Sequence, residues 1–144
     1  TPNLEKSISL EISDKVNILS SWETFANDAI YHRKQTLDII ESLNGKKIVG
    51  FGSSARSQTY LNFCGINSGQ IDAIIDNNTL KQGLFSPGSA IPIVNFKQGF
   101  ELKPELIFIL AWNFKDEIVK VCRANGYKGE FLLPFPKKPY LCND

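Results

Sequence analysis

Apolar residues follow two different rhythms along this 144-residue chain, and the change falls at Gly45. Before it, Leu19, Trp22, Ala26, Ala29, Ile30, Leu37 and Ile40 recur at steps of three and four, the period of a helix with one apolar face. The pattern predicts a long amphipathic helix from about Ser13 or Asp14, either of which can cap its start, to Leu43. Asn44-Gly45 ends it, because both residues tolerate the left-handed conformation found after a helix C-terminus. Residues 1–12 show no clear period and read as a linker or a strand-like lead-in.

After Gly45 short apolar runs alternate with helical spacings. Ile48-Val49-Gly50-Phe51 predicts a strand, Ser57–Cys64 a short helix closed by Gly65, and Ile71–Ile75 a second strand ending at Asp76. Lys81–Gly88 is punctuated by turn formers yet carries Leu84 and Phe85, which predicts an ordered loop. Ile91–Val94 follows as a strand whose Pro92 argues for an edge or a strand start, and Asn95 can cap a helix to about Phe100. Glu105–Ala111 is the most apolar run, as expected of a strand covered on both faces. Phe114, Ile118, Val121 and Cys122 share a helix face that Asn125-Gly126 terminates, and Glu130–Leu133 is the last strand before a proline-lysine tail.

This rhythm predicts an α/β fold: a three-layer Rossmann-like sandwich with a mainly parallel sheet of about five strands, preceded by a long N-terminal helix. A strand order such as 3-2-1-4-5 leaves a crevice at the carboxyl ends of the strands, where the winding reverses. Residues 1–44 are then a linker and connector helix, and 45–144 the Rossmann-like domain.

The candidate chemistry sits at those strand ends. Gly50, Gly52 and Ala55 fall on a G-x-G-x-x-A spacing. Gly50 would allow a tight turn, Gly52 a close backbone approach by an anion, and Ala55 close packing of the next helix. Free N–H groups of Ser53, Ser54, Ala55 and Arg56 would then face a phosphate, with the Arg56 guanidinium beside them. Asp76 lies near the ~20-residue offset at which a second-strand carboxylate accepts ribose hydroxyls, although Asp76-Asn77-Asn78 reads equally well as a polar turn. Trp112-Asn113 closes the longest apolar strand on the same side.

Composition narrows the partners. With 42% hydrophobic residues the chain can bury its own core, and a net charge of +1 gives no broad positive field for nucleic acid. No apolar run approaches the ~20 residues needed to cross a bilayer, so no membrane partner is expected. Cys64, Cys122 and Cys142 have no metal-ligand spacing with the single His32, and they read as reduced thiols of a cytoplasmic protein, Cys64 and Cys122 as core residues. Tyr31-His32 reads as a packed or solvated helix pair, because sequence neighbours on a helix do not face one another. A G-x-S-x-G hydrolase elbow is absent. No catalytic residue and no metal site are expected in this chain.

Gly50–Arg56, Tyr60–Ile66, Ile71–Asn77, Lys81-Gln-Gly-Leu-Phe-Ser-Pro-Gly88, Ile91–Ile93 and Ala111-Trp112-Asn113 with Glu117 together resemble the C-terminal domain of sugar C-methyltransferases. These enzymes use S-adenosylmethionine to methylate a keto sugar carried on a nucleoside diphosphate. The likeness covers about Gly45 to Pro136. It implies that a zinc-binding module and an N-terminal methyltransferase domain of the same polypeptide hold zinc and S-adenosylmethionine, while this part holds the nucleoside-diphosphate sugar. It further implies that Gly52–Arg56 face phosphate and that Asp76, Lys81, Trp112 and Asn113 border the crevice. The family often carries Ala-Pro-Ala-Lys where Ser53–Arg56 stand, and Tyr31-His32 shares only two letters with the family's catalytic Tyr-His-Glu-His stretch. Two other readings use the same residues or their neighbours: an NAD(P)-binding oxidoreductase domain with Asp76 on the ribose, and a docking module anchored by Trp22 and Phe25.

Overall fold

The computed structural model describes residues 1–143. Its centre is a six-stranded sheet made of β1 (Ile48–Phe51), β2 (Ala73–Ile75), β3 (Ile93–Val94), β4 (Leu106–Ile109), β5 (Glu130–Leu133) and β6 (Tyr140–Cys142). The order is β3-β2-β1-β4-β5-β6, so the predicted 3-2-1-4-5 arrangement is present with one strand added. The first five strands run parallel, and β6 pairs antiparallel with β5.

Alternation along the strands divides the core into two layers. Leu106 and Phe108 of β4 face Tyr60, Leu61 and Cys64 of α3 (Ala55–Cys64) and Ile40 of α2 (Leu19–Ser42). Ile107 and Ile109 face the opposite way, toward Ile118 and Cys122 of α5 (Lys115–Ala124), with Phe96 and Phe100 of α4 (Phe96–Glu101) packed against that layer. Two covered faces explain why β4 reads as one uninterrupted apolar run. Asn95 caps α4, accepting from the Gln98 amide while Gln98 bonds back, and Gly65 closes α3 in the left-handed conformation. The 81–88 segment is ordered, tied to β3 by Gly83 N–H to Ile93 O and Ile93 N–H to Leu84 O.

Three features differ from the sequence expectation. Residues 1–12 are helical rather than strand-like: Pro2–Ser13 form a helix, α1, started by a proline in its first turn. Leu4, Ile8 and Ile12 are four apart, but the stripe they make lies in water with no core beneath it. The second helix starts at Leu19 rather than Ser13 or Asp14, because Lys15 takes a positive φ of 55° and the Val16 carbonyl accepts from Trp22 Nε1 at 2.7 Å. Finally, the proline-lysine tail turns back to form β6. Arg123 secures this end, donating to the carbonyls of Tyr127 at 2.8 Å, Gly129 at 2.9 Å and Asn143.

Candidate functional site

The two glycines of the loop do different jobs, and the turn expected at Gly50 falls at Gly52 instead. Gly50 is inside β1, paired with Ile74 and Phe108, not in a turn. A β-carbon there would lie 2.9 Å from Leu110 Cδ1 and 3.1 Å from Ile74 Cγ1, so its smallness serves packing. Gly52 makes the turn, with φ +97°, and a β-carbon on it would fall 2.5 Å from Ala111 Cβ. The close approach it permits is therefore to the backbone after β4.

The amides that follow are largely spoken for. Gly52 N–H donates to Ile75 O, and buried Ser53 N–H donates to Asp76 Oδ2 at 2.7 Å. Ser54 caps α3: Ser57 N–H donates to Ser54 Oγ and Ser54 N–H to Ser57 Oγ, both at 3.2 Å. Gln58 Nε2 donates to Ser53 Oγ at 2.9 Å, leaving its buried Oε1 without a partner among the described residues. Only the Ala55 and Arg56 amides of this loop have no acceptor among the described residues.

Asp76 and Lys81 brace the loop from the side. Asp76 Oδ1 accepts from Asn78 N–H at 2.8 Å, so both of its oxygens are engaged, and Lys81 Nζ stands 3.6 Å from Oδ2 while donating to Ser53 O. Asn77 is exposed at the rim beyond them. The polar turn and the strand-end carboxylate are thus the same object, a carboxylate that holds its own loop.

Arg56, Trp112 and Asn113 come together on the other side. Arg56 projects from the first turn of α3, its guanidinium carbon 5.6 Å from the centre of the Trp112 ring, and Nη2 donates to Asn113 Oδ1 at 3.3 Å. Trp112 contacts Phe135 at 4.7 Å between centroids, and Phe135 stacks on His32 at 5.0 Å. Tyr60 lies beneath, its hydroxyl 3.0 Å from His32 Nε2 and 2.6 Å from Thr36 Oγ1. Thr36 donates to the His32 carbonyl at 3.1 Å, so it accepts from Tyr60, and Tyr60 in turn accepts from His32. Burial lowers the His32 pKa, with the Lys137 carbonyl working in the opposite sense, and burial raises that of Tyr60. The Tyr31-His32 pair is therefore split: His32 packs inward, while Tyr31 is exposed.

With this geometry in hand, a comparison with known families is decisive: residues 1–136 match the family model described as C-methyltransferase C-terminal domain. The chain belongs to that family. The match takes in α1 and α2 as well as the sheet. The C-methyltransferase NovU of Streptomyces niveus is 29% identical over 141 residues, which cover 94% of this chain and 33% of that protein. The chain thus spans about a third of the length of this relative.

In this C-methyltransferase C-terminal domain the predicted site residues other than Gly50, which is inside β1, lie at the carboxyl end of the sheet, but on two faces. Gly52, Asp76, Asn77, Ala111 and Glu117 line a cleft of about 380 Å3 against α5. Trp112, Phe135 and Pro136 form a hollow of about 340 Å3 on the α3 face, near Arg56 and Asn113. Phe135 and Tyr60 were not singled out from sequence, although Phe135 follows the end of β5 and so obeys the same strand-end rule as Trp112. Cys64 and Cys122 are buried and free, their thiols pushed up to about 11 and about 12 by desolvation. Among the described residues no group of three metal-binding side chains assembles, and no helix is long and apolar enough to cross a membrane.

Proposed function

We propose that this domain holds a nucleoside-diphosphate keto sugar for a cytoplasmic, S-adenosylmethionine-dependent C-methyltransferase. The supporting observation is the α3 start: two unclaimed amides, the exposed Arg56 guanidinium beside them, and Trp112-Asn113 fixing that guanidinium where the strand order reverses between β1 and β4. A diphosphate there would receive N–H donors and a forked cation together with the favourable end of the helix dipole.

The division of labour follows from what methylation needs. Forming a C–C bond beside a carbonyl requires a base that removes the α-proton and a methyl donor aligned with the resulting carbanion. On this side His32 is engaged by Tyr60, and Asp76 is engaged by two amides. Proton removal and methyl transfer are therefore assigned to the N-terminal methyltransferase domain, together with S-adenosylmethionine and the family's zinc, and this chain fixes the substrate in place. Calorimetry with uridine and thymidine diphosphates tests the reading: saturable binding that the Arg56→Ala substitution weakens supports it, and absence of heat with either at millimolar concentration overturns it.

A second role is favoured by the exposed apolar residues of α1 and the first half of α2. Leu4, Ile8, Ile12, Trp22 and Phe25 are all exposed, and on this reading they dock another part of the enzyme. Leu4→Glu together with Ile8→Glu should leave nucleotide binding intact while abolishing association with a methyltransferase domain supplied separately.

A further inference from the structure

Between the middle of α2, α3 and the turn after β5 lies a groove of about 740 Å3, within the roughly 300–1,000 Å3 usual for small-molecule sites. Tyr60, His32 and Phe135 form its rigid side, held by the hydrogen bonds through Thr36 and by the stacking of His32 on Phe135. Phe25, Tyr31 and Phe63 complete the aromatic lining yet are 66%, 63% and 43% exposed, a costly way to leave ring surface if nothing covers it. Gln35 enters the groove from α2, half-buried, and its carboxamide, a donor and an acceptor in one plane, makes no hydrogen bond among the described residues. Lys137 and Lys138 stand on the turn at the other wall.

The groove is also connected to the proposed phosphate site. It shares Phe135 with the Trp112 hollow, and the steps Arg56 to Trp112, Trp112 to Phe135 and Phe135 to His32 measure 5.6, 4.7 and 5.0 Å. An elongated ligand with an anionic end at Arg56 has its other end in an aromatic slot. We propose that this groove is the nucleobase subsite: the base stacks against the Tyr31 and Phe135 rings, and Gln35 hydrogen-bonds to its edge. Aromatic walls suit any base, because every base offers a π-face, whereas a carboxamide in the slot can discriminate between edges. Among the described residues Lys137 and Lys138 outnumber the one carboxylate of the groove, Asp28, and leave it net positive beside a ligand that carries phosphates.

The proposal rests on the nucleotide-sugar reading, and the test separates the two. The chain is titrated calorimetrically with uridine diphosphate, adenosine diphosphate and inorganic pyrophosphate, and the titrations are repeated with Tyr31→Ala, Gln35→Ala and Arg56→Ala. Tyr31 is exposed on its helix, so its replacement leaves the fold intact. At least one nucleoside diphosphate is expected to bind about tenfold or more tightly than pyrophosphate. Tyr31→Ala should shrink that advantage without touching pyrophosphate, Gln35→Ala should alter the ratio between the two bases, and Arg56→Ala should weaken all three ligands. If nucleoside diphosphates bind and respond to Arg56→Ala but to neither groove substitution, the base lies elsewhere and this inference is overturned while the proposed function stands. It is overturned in the same way if the groove substitutions instead disrupt only association with a methyltransferase domain, since the slot would then be a protein contact. If pyrophosphate and both nucleotides fail to bind, the nucleotide-sugar reading falls and takes this inference with it.

Discussion

The carboxyl end of the sheet has two faces fed by one glycine loop, and they have opposite chemistry. Against α5 the cleft carries Asp76 and Glu117 over an apolar floor of Phe51, Ile75 and Ile118. Against α3 the surface carries Arg56, Trp112 and two unclaimed amides. The glycines fix how near the strands approach one another, whereas the charges that follow them decide what could be held. A dinucleotide would meet an acidic cleft whose main carboxylate is already bonded to Ser53 and Asn78. A diphosphate on the α3 face would meet the Arg56 cation and two amide donors, with no carboxylate among the described residues of the Trp112 hollow.

The comparison is broken most forcefully at the turn both faces share. Gly52→Val must place a branched side chain at φ +97° and into Ala111, which should cost about 3 kcal/mol or more and lower the urea midpoint sharply. An unchanged midpoint would mean that the two loops are not in contact. Asp76→Ala strips the acceptor from two amides and should destabilise by about 1–3 kcal/mol, with uridine diphosphate affinity little changed at temperatures where the variant remains folded. Arg56→Ala reverses that signature, weakening the nucleotide by about 1–3 kcal/mol while unfolding stays within about 0.5 kcal/mol of the parent. Glu117→Gln is the discriminating small change: removing a solvent-exposed charge that lines the other cleft should shift the affinity by less than about 0.5 kcal/mol, and a tenfold tightening would put the anion in the α5 cleft instead.

The smallest effect concerns pH. Burial keeps the native His32 pKa below its ordinary 6.5, so between those values the unfolded chain binds more protons than the folded one. The stability linked to His32 is complete above pH 6.5 and is lost as pH falls through the lowered native value. Urea midpoints from pH 7.5 to 5.5 should therefore decline more in the parent than in His32→Gln, and parallel curves would show that the ring is not desolvated.

The alternating part of the fold was legible in the sequence because burial on two faces leaves apolar runs such as Leu106–Ile109, and because Asn95 and Gly65 mark helix ends by their own backbone chemistry. Elements held by little or no core left a weaker trace. The stripe of α1 is regular but buries nothing, and β6 hides behind a tail of prolines and lysines. At the site, spacing put Arg56 just past a strand end but gave Gly50 the turn that Gly52 makes, since the neighbours that require the two glycines, Leu110 and Ala111, lie far along the chain. The ladder from Arg56 to His32 draws its members from α3, the turn after β4, the turn after β5 and α2, so no local spacing could reveal it.

At the seam where Gly52 meets Ala111 there is no space for even one added carbon. The segment bearing Ser54 to Arg56 and the one bearing Trp112 and Asn113 therefore cannot draw closer, and the Leu110 and Ala111 amides, both donating to Phe51 O, tie them at that spacing. On the proposed function, cargo seized by one would be registered to the other, and the domain would act as a jig that presents its load in one fixed attitude to any catalyst reaching over it.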